Sequence, residues 1–347
     1  MNKYERVKKA VKFTNPDRIP MWAPEDPDSE IDSIFAGRVP IKGTTGGSSI
    51  ESKNGEPLRL MGVDGLAFTD EEARRGVKDE WGCIWRSTDD TMGQVVVNPI
   101  SDWKNFKNFK FPDPYKKGRF DDAIRKVELI KNEEYYILAC QWSILFERMC
   151  WLMGHSNFLM EMMLNRSFVI ELAEGVTEYG IGIVKRFAEA GAHGILIGDD
   201  WGTQTGSWIR SETFNDIFKS FYKRIINKAH EKNLDVFFHS CGNMFSLLPD
   251  LIDCGIDVFN TWQPQVIGIN KLGDSFGGKI CFMCSADIQT TIPYKSTAEV
   301  IDETELLIDK LGSYSGGLIG VSYSGSTVNM QNVQAMIDTF RSYGIYK

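Results

Sequence analysis

Two side chains with one residue between them open the chemical reading. The run Asp235–Gly242 ends Phe237-Phe238-His239-Ser240-Cys241-Gly242. Its apolar and aromatic residues predict a strand, and residues two apart in a strand project to one face. His239 and Cys241 then aim the same way at a strand end, and an imidazole converging with a thiolate suits a tetrahedral zinc ion. The plainer alternative is a structural histidine beside a small buried thiol. Of the four histidines, His155 falls in a helical or loop segment, His230 on a helix and His193 just before a strand. That leaves His239 as the one placed for chemistry.

Other strand-like runs also end in polar residues. Lys279–Ala286 brings a second thiol, Cys284, a candidate third metal ligand that would otherwise be a small buried hydrophobe. Ile256–Pro264 ends with Asn260, Trp262 and Gln263, and Tyr135–Trp142 ends with Trp142, with Glu147 soon after. Gly194–Trp201 ends Asp199-Asp200-Trp201, with Gln204 following, and Gly316–Ser324 carries Tyr323. Neighbours in a strand face opposite sides, so at most one of Asp199 and Asp200 points inward; either could instead cap the following turn. The catalytic candidates are therefore Asp199, Asp200, Asn260 and Glu147. The candidates for lining a substrate are Trp142, Trp201, Gln204, Trp262, Gln263 and Tyr323, with core or rim packing as the alternative for the tryptophans.

Something must hold these ends together. From about residue 119, short apolar runs alternate with long amphipathic ones such as Ser211–Leu234 and Thr297–Tyr314, the rhythm of repeated βα units and a parallel sheet. Six such runs, joined by Arg18–Ala23 and Val63–Phe68, give the eight strands needed to close a TIM (β/α)8 barrel. A doubly wound sheet competes, but no GxGxxG follows a first strand. Glu25–Glu56 reads as a long loop, Trp81–Ser87 and Gln94–Val97 as an extra β-ribbon, and Ser143–Ala190 as a helical insertion. With no interdomain linker in view, residues 1–347 read as one domain.

The balance of 39 basic against 47 acidic residues gives a net charge of −8. That field opposes a nucleic-acid partner, and a polycarboxylate substrate unless arginines cluster locally. The first residues carry no apolar run of the signal-peptide kind, and no apolar stretch is long enough to span a membrane. Seven scattered cysteines read as reduced thiols in the cytoplasm.

Several segments carry a family likeness. Arg6-Val7 followed by Asn15-Pro16-Asp17-Arg18-Ile19-Pro20-Met21-Trp22 resembles the N-terminal signature of the uroporphyrinogen-decarboxylase superfamily. Asp79-Glu80-Trp81-Gly82, Phe111-Pro112-Asp113-Pro114, Asp199-Asp200-Trp201-Gly202-Thr203-Gln204, Phe238-His239-Ser240-Cys241-Gly242-Asn243 and Asp287-Ile288-Gln289-Thr290 resemble segments of its decarboxylase-like branch. The resemblance implies a TIM barrel, a homodimer, and one of two activities. The decarboxylases remove acetate carboxyls from a tetrapyrrole and hold it with an arginine-rich motif after the first strand. Here Met21-Trp22-Ala23-Pro24-Glu25-Asp26 stands in that place, with acids and no arginine. The cobalamin-dependent methyltransferases bind zinc through an HxC pair and a cysteine near the C-terminus. His239 and Cys241 match the pair, but Ser322-Tyr323-Ser324-Gly325 occupies the cysteine's place. Cys284 would substitute, or Asp199 or Glu147 would supply an oxygen.

The expectation is a zinc-dependent methyltransferase acting on a small-molecule methyl donor or acceptor, with a corrinoid (cobalamin) on a partner protein. The alternatives are a carboxy-lyase of tetrapyrrole metabolism, using an aspartate such as Asp70 or Asp199, and a non-catalytic corrinoid- or tetrapyrrole-binding barrel.

Overall fold

The computed structural model describes residues 1–24, 26, 28–36, 50–51, 57–61, 66–68, 74–87, 93–322 and 328–346. Its centre is an eight-stranded parallel sheet built from β1 (Met21–Trp22), β2 (Ile31–Phe35), β3 (Tyr136–Gln141), β4 (Gly194–Gly198), β5 (Asp235–His239), β6 (Val258–Thr261), β7 (Cys281–Cys284) and β8 (Leu318–Val321). Neighbours run in the order β1-β8-β7-β6-β5-β4-β3-β2. The seam between β1 and β2 is closed by the segment joining them. There the Glu30 N–H donates to the Met21 carbonyl at 3.0 Å, and the Met21 N–H donates to the Glu30 carboxylate at 2.7 Å. The result is a near-closed TIM barrel.

The strands separate two apolar layers. Leu138, Leu196, Phe237, Val258, Met283 and Ile319 pack together inside the barrel, while Ala139, Ile197, Phe238, Phe259 and Phe282 pack outward against the helices. Both faces are buried, as parallel strands require, and each buried Leu, Ile or Phe contributes about 1.5–3 kcal/mol. Helix α1 (Lys3–Val11) closes the N-terminal end of the barrel. It adds Val7, Ala10 and Val11 to the interior cluster and binds the first strand residues from below through Lys8–Asp235 at 2.6 Å and Lys12–Asp257 at 2.8 Å.

Seven strands form within the runs expected for them, β1 inside Arg18–Ala23 and the six later ones each trimmed by a residue or more. The second barrel strand does not. Leu66–Phe68, at the end of the expected Val63–Phe68 strand, pairs antiparallel with Pro57–Met61, outside the barrel. Its place is taken by Ile31–Phe35, inside the stretch read as a loop. Asp32 made that strand look unlike one. Its carboxylate faces outward and accepts from Lys126 Nζ at 2.5 Å, on helix α2 (Asp121–Ile130).

The β-ribbon is present as Val77–Lys78, Ile84–Arg86 and Gln94–Val97, and Trp85 packs edge-on against Trp151 at 5.0 Å. The expected insertion Ser143–Ala190 is three helices: α3 (Phe146–Met153), α4 (His155–Leu164) and α5 (Arg166–Glu189). Only the first two are additions. The third is the barrel's own helix between β3 and β4. Its Gly175 lets the Phe111 ring reach within 2.1 Å of where a Cβ would stand. No helix among the described residues is long and apolar enough to cross a membrane.

Candidate metal centre

Strand alternation delivers the site. Phe237 faces the barrel interior, so His239 does too, at the C-terminal end of β5. After β4, Asp199 turns outward and Asp200 inward. The ligand atoms of Asp200, His239 and Cys241 all lie within 4.8 Å of one another. His239 Nε2 stands 3.4 Å from Cys241 Sγ and 3.7 Å from Asp200 Oδ1. A tetrahedron of zinc ligands at 2.0–2.3 Å has edges of about 3.3–3.8 Å, so both spacings are those of donors around one small cation.

The backbone fixes this spacing. Cys241 N–H donates to Asp200 Oδ1 at 2.7 Å, and Asn243 N–H donates to the Thr203 carbonyl at 2.6 Å. Between them Gly202 and Gly242 touch main chain to main chain: a Cβ on Gly202 would stand 2.5 Å from the Cys241 carbonyl oxygen. Gln263 Oε1 accepts the Gly242 N–H at 3.0 Å. The loops after β4 and β5 are thus clasped, and neither glycine accommodates a side chain.

Asn260 sets the histidine's tautomer. Its Nδ2 donates to the Met283 carbonyl at 2.7 Å, which turns Oδ1 toward His239 Nδ1, 2.7 Å away. An oxygen there can only accept, so Nδ1 carries the proton and the Nε2 lone pair faces Cys241 and Asp200. Burial lowers the His239 pKa, against the pull of Asp200 and the Asn260 bond, and so favours the neutral ring. Burial, then Asp200 and Glu147, push the Cys241 thiol up. Glu147, half-buried, is raised to about 8 by burial and then by Asp200 and Asp199. Asp200 thus raises the proton affinity of both Glu147 and Cys241, a potential that a divalent cation at the mouth would relieve.

The remaining expected site residues fall into place as follows. Trp142 and Trp262, both half-buried, flank His239 with ring centroids at 5.3 and 4.9 Å. Asn260 and Gln263 are support residues for His239 and the Gly242 turn. Asp199 is fully buried and caps α3, accepting from Leu145 N–H at 3.0 Å, Glu147 N–H at 2.8 Å and Tyr222 O–H at 2.7 Å. Trp201 is core, stacked on Phe146 at 3.9 Å. Gln204 is exposed and reaches Gln289 at 3.4 Å. Cys284 is a correction. It packs with the outer layer, because Cys281 and Met283 take the inward positions of β7, and burial holds its thiol up at about 12. The third donor converging on the pair is an oxygen, from Asp200. Tyr323, Asp70 and Glu25 lie outside the described residues. Sequence reasoning missed the Gly202–Gly242 clasp, although a glycine one or two residues past each acidic or thiol-bearing strand end was its signal.

With an eight-stranded barrel and a polar cluster at its C-terminal mouth, the chain is of the TIM-barrel class whose sites sit at strand ends. The model of the uroporphyrinogen decarboxylase (URO-D) family matches residues 79–343, and the chain belongs to that family. Among solved structures it is similar to a methyltransferase from Methanosarcina mazei, at 16% identity over 76% of each chain with a TM-score of 0.62. It also matches a B12-independent methionine synthase from a Shewanella species, at 15% identity over 63% of this chain and 64% of that one, with a TM-score of 0.43. The first likeness is one of fold; the second is too slight to carry more. No curated protein matches the sequence.

Proposed function

We propose that this chain is a zinc-dependent methyltransferase, moving a methyl group between a small molecule and a corrinoid carried by a partner protein. The observation that carries the reading is the convergence of Asp200, His239 and Cys241 at the barrel mouth, with the His239 nitrogen at tetrahedral spacing from both the sulfur and the oxygen. These three residues would hold the ion. A zinc ion so held, with one position open, supplies Lewis acidity to a thiol or an oxygen of the methyl donor or acceptor. Asn260 keeps His239 in its ligating tautomer, the Gly202–Gly242 clasp keeps Asp200 beside Cys241, and Trp142 and Trp262 keep water from the reacting end. Glu147, protonated near neutral pH, is placed to give or take a proton at the rim.

Tetrapyrrole decarboxylation is disfavoured by the charges around β1. Arg6 is engaged by Asp17 at 2.6 Å and Glu30 at 3.1 Å, Arg18 by Glu30, and Arg341 by Asp26 at 2.6 Å. Each guanidinium already has a carboxylate from this chain.

The test is metal analysis joined to a transfer assay. Purified protein should carry near-stoichiometric zinc that is lost in His239→Ala. Zinc-loaded protein should demethylate free methylcobalamin in the presence of a thiol, and His239→Ala should not. Metal-free protein that consumes uroporphyrinogen would overturn the proposal.

A further inference from the structure

The register of the strands fixes which residues stand level around the mouth. Gly198 pairs with His239, His239 with Asn260, Thr261 with Cys284, Cys284 with Gly320, and Trp22 with Val321. Extending that register past the strand ends aligns Asp200, Cys241, Trp262, Ser285, Val321 and Trp22. The donor cluster stands at one end of the row. At the other end, β1 lies opposite β5 in the ring of eight strands. Asp200 and Cys241 lie two residues beyond β4 and β5, whereas Ser285 is one beyond β7 and Trp22 is the last residue of β1. Trp22, on the strand opposite β5, and Ser285, two strands from β5, thus share the cluster's row around the barrel.

Both are hydrogen-bond donors with no acceptor among the described residues. Trp22 packs with the interior cluster and is 7% exposed, and Ser285 is fully buried. Ala286 turns to the outer layer, donating its N–H toward Met336 Sδ at 3.3 Å, so Ser285 turns inward. Neither Trp22 Nε1 nor Ser285 Oγ has a hydrogen-bond partner among the described residues. A buried donor left unmet is costly, and such groups in native proteins generally call for an explanation. Between the two stands Val321, apolar and 2% exposed. Trp22 shares its interior cluster with the apolar side chains of Ile31, Ile319 and Val321. Two neutral donors in such surroundings suit a neutral oxygen better than a carboxylate, whose charge would be buried uncompensated.

We infer that Trp22 and Ser285 form an acceptor-binding floor, which grips a carbonyl or similar neutral oxygen at the non-reacting end of the substrate while its other end meets Asp200, His239 and Cys241. The substrate class is then a small, uncharged, flat molecule with an oxygen acceptor remote from its methyl group; Trp142 and Trp262 supply the flat walls. The inference rests on the barrel mouth being the reacting site, as proposed above, but not on which metal is bound.

The test uses indole N–H resonances of the full-length protein labelled with 15N-tryptophan, the Trp22 signal being assigned by its loss in Trp22→Phe. Three planar probes are titrated: benzamide, benzoate and toluene. Benzamide should move the Trp22 signal downfield and saturably, toluene should not, and benzoate should bind about tenfold or more weakly. Ser285→Ala should weaken benzamide about three- to tenfold, the loss expected for one hydrogen bond, with zinc content unchanged. Should Ser285→Ala fail to fold, Trp22→Phe, which keeps an aromatic side chain but removes the N–H, should give the same loss, read on the Trp142 and Trp262 signals. A Trp22 signal that ignores benzamide, or follows toluene equally, overturns the inference, as does tighter binding of benzoate. Because zinc content is read separately, a metal-free protein that still binds benzamide through Trp22 would sink the zinc reading and leave the floor standing.

Discussion

Replacing Asn260 by leucine removes two hydrogen bonds at once, each 2.7 Å long and buried: the acceptor for His239 Nδ1–H and the donor to the Met283 carbonyl. The two side chains branch alike, but leucine is the bulkier, so some crowding adds to the change in polarity. Each abandoned partner costs about 1–3 kcal/mol when buried, which puts the loss of folding stability at about 2–6 kcal/mol. The metal should suffer separately. Without the amide oxygen the ring is free to turn or to carry its proton on Nε2, and loss of such a support typically lowers metal affinity about 10- to 100-fold. The assay is competition for zinc against a chromophoric chelator, on variant protein shown by circular dichroism to be folded. Long-range 15N–1H correlation spectra of the metal-free wild type should show the His239 proton on Nδ1. A folded Asn260→Leu protein with wild-type zinc affinity would refute the reasoning, as would a wild-type ring protonated on Nε2.

Other outcomes follow from the same geometry. Cys284→Ala should leave zinc stoichiometry intact while Asp200→Ala loses it; the reverse result in metal analysis would restore the two-thiol site. Asp199 is raised from its ordinary 3.8 to about 7, chiefly by burial, so the folded state holds its proton longer than the unfolded one. Its contribution is full below about pH 4 and fades as pH rises through about 7, a change of about 4 kcal/mol. Urea unfolding of metal-free protein across that window should show the decline, and Asp199→Asn should flatten it. Gly175→Ala would place a methyl 2.1 Å from the Phe111 ring and should cost about 1–3 kcal/mol in thermal unfolding, recovered in part by adding Phe111→Leu.

The sequence made the barrel rhythm readable wherever a strand was apolar on both faces, which covers β3 to β8. It hid β2 because Asp32 sits mid-strand, and only a lysine 94 residues on, Lys126, makes an acid tolerable there. The same burial on both faces that revealed the later strands concealed their orientation. Cys281-Phe282-Met283-Cys284 is apolar throughout, so nothing local says that Cys281 and Met283 face inward and Cys284 outward. His239 and Cys241 were legible as a pair because alternation keeps them together whichever face they take. Alternation likewise separated Asp199 from Asp200, but only the packing of Asp199 under α3 decides between them.

That division bears on the chemistry. Asp199 spends its carboxyl oxygens inside the fold, on three hydrogen bonds that hold the start of α3, the helix carrying Glu147. Asp200 is left at the mouth with an oxygen directed at His239 and Cys241. With Asp200 in place of a second thiolate, the donor set is a harder one of one nitrogen, one sulfur and one oxygen. Such a set should bind zinc less selectively over other first-row metals than two thiolates would. Metal analysis after growth in medium enriched in cobalt or manganese should therefore show partial exchange in wild-type protein. Asp200→Cys should restore selectivity for zinc, because the clasp of Gly202 and Gly242 holds that position beside Cys241 whatever its donor. Wild-type protein that excludes both competing metals would show that geometry, rather than donor hardness, governs the choice at this mouth.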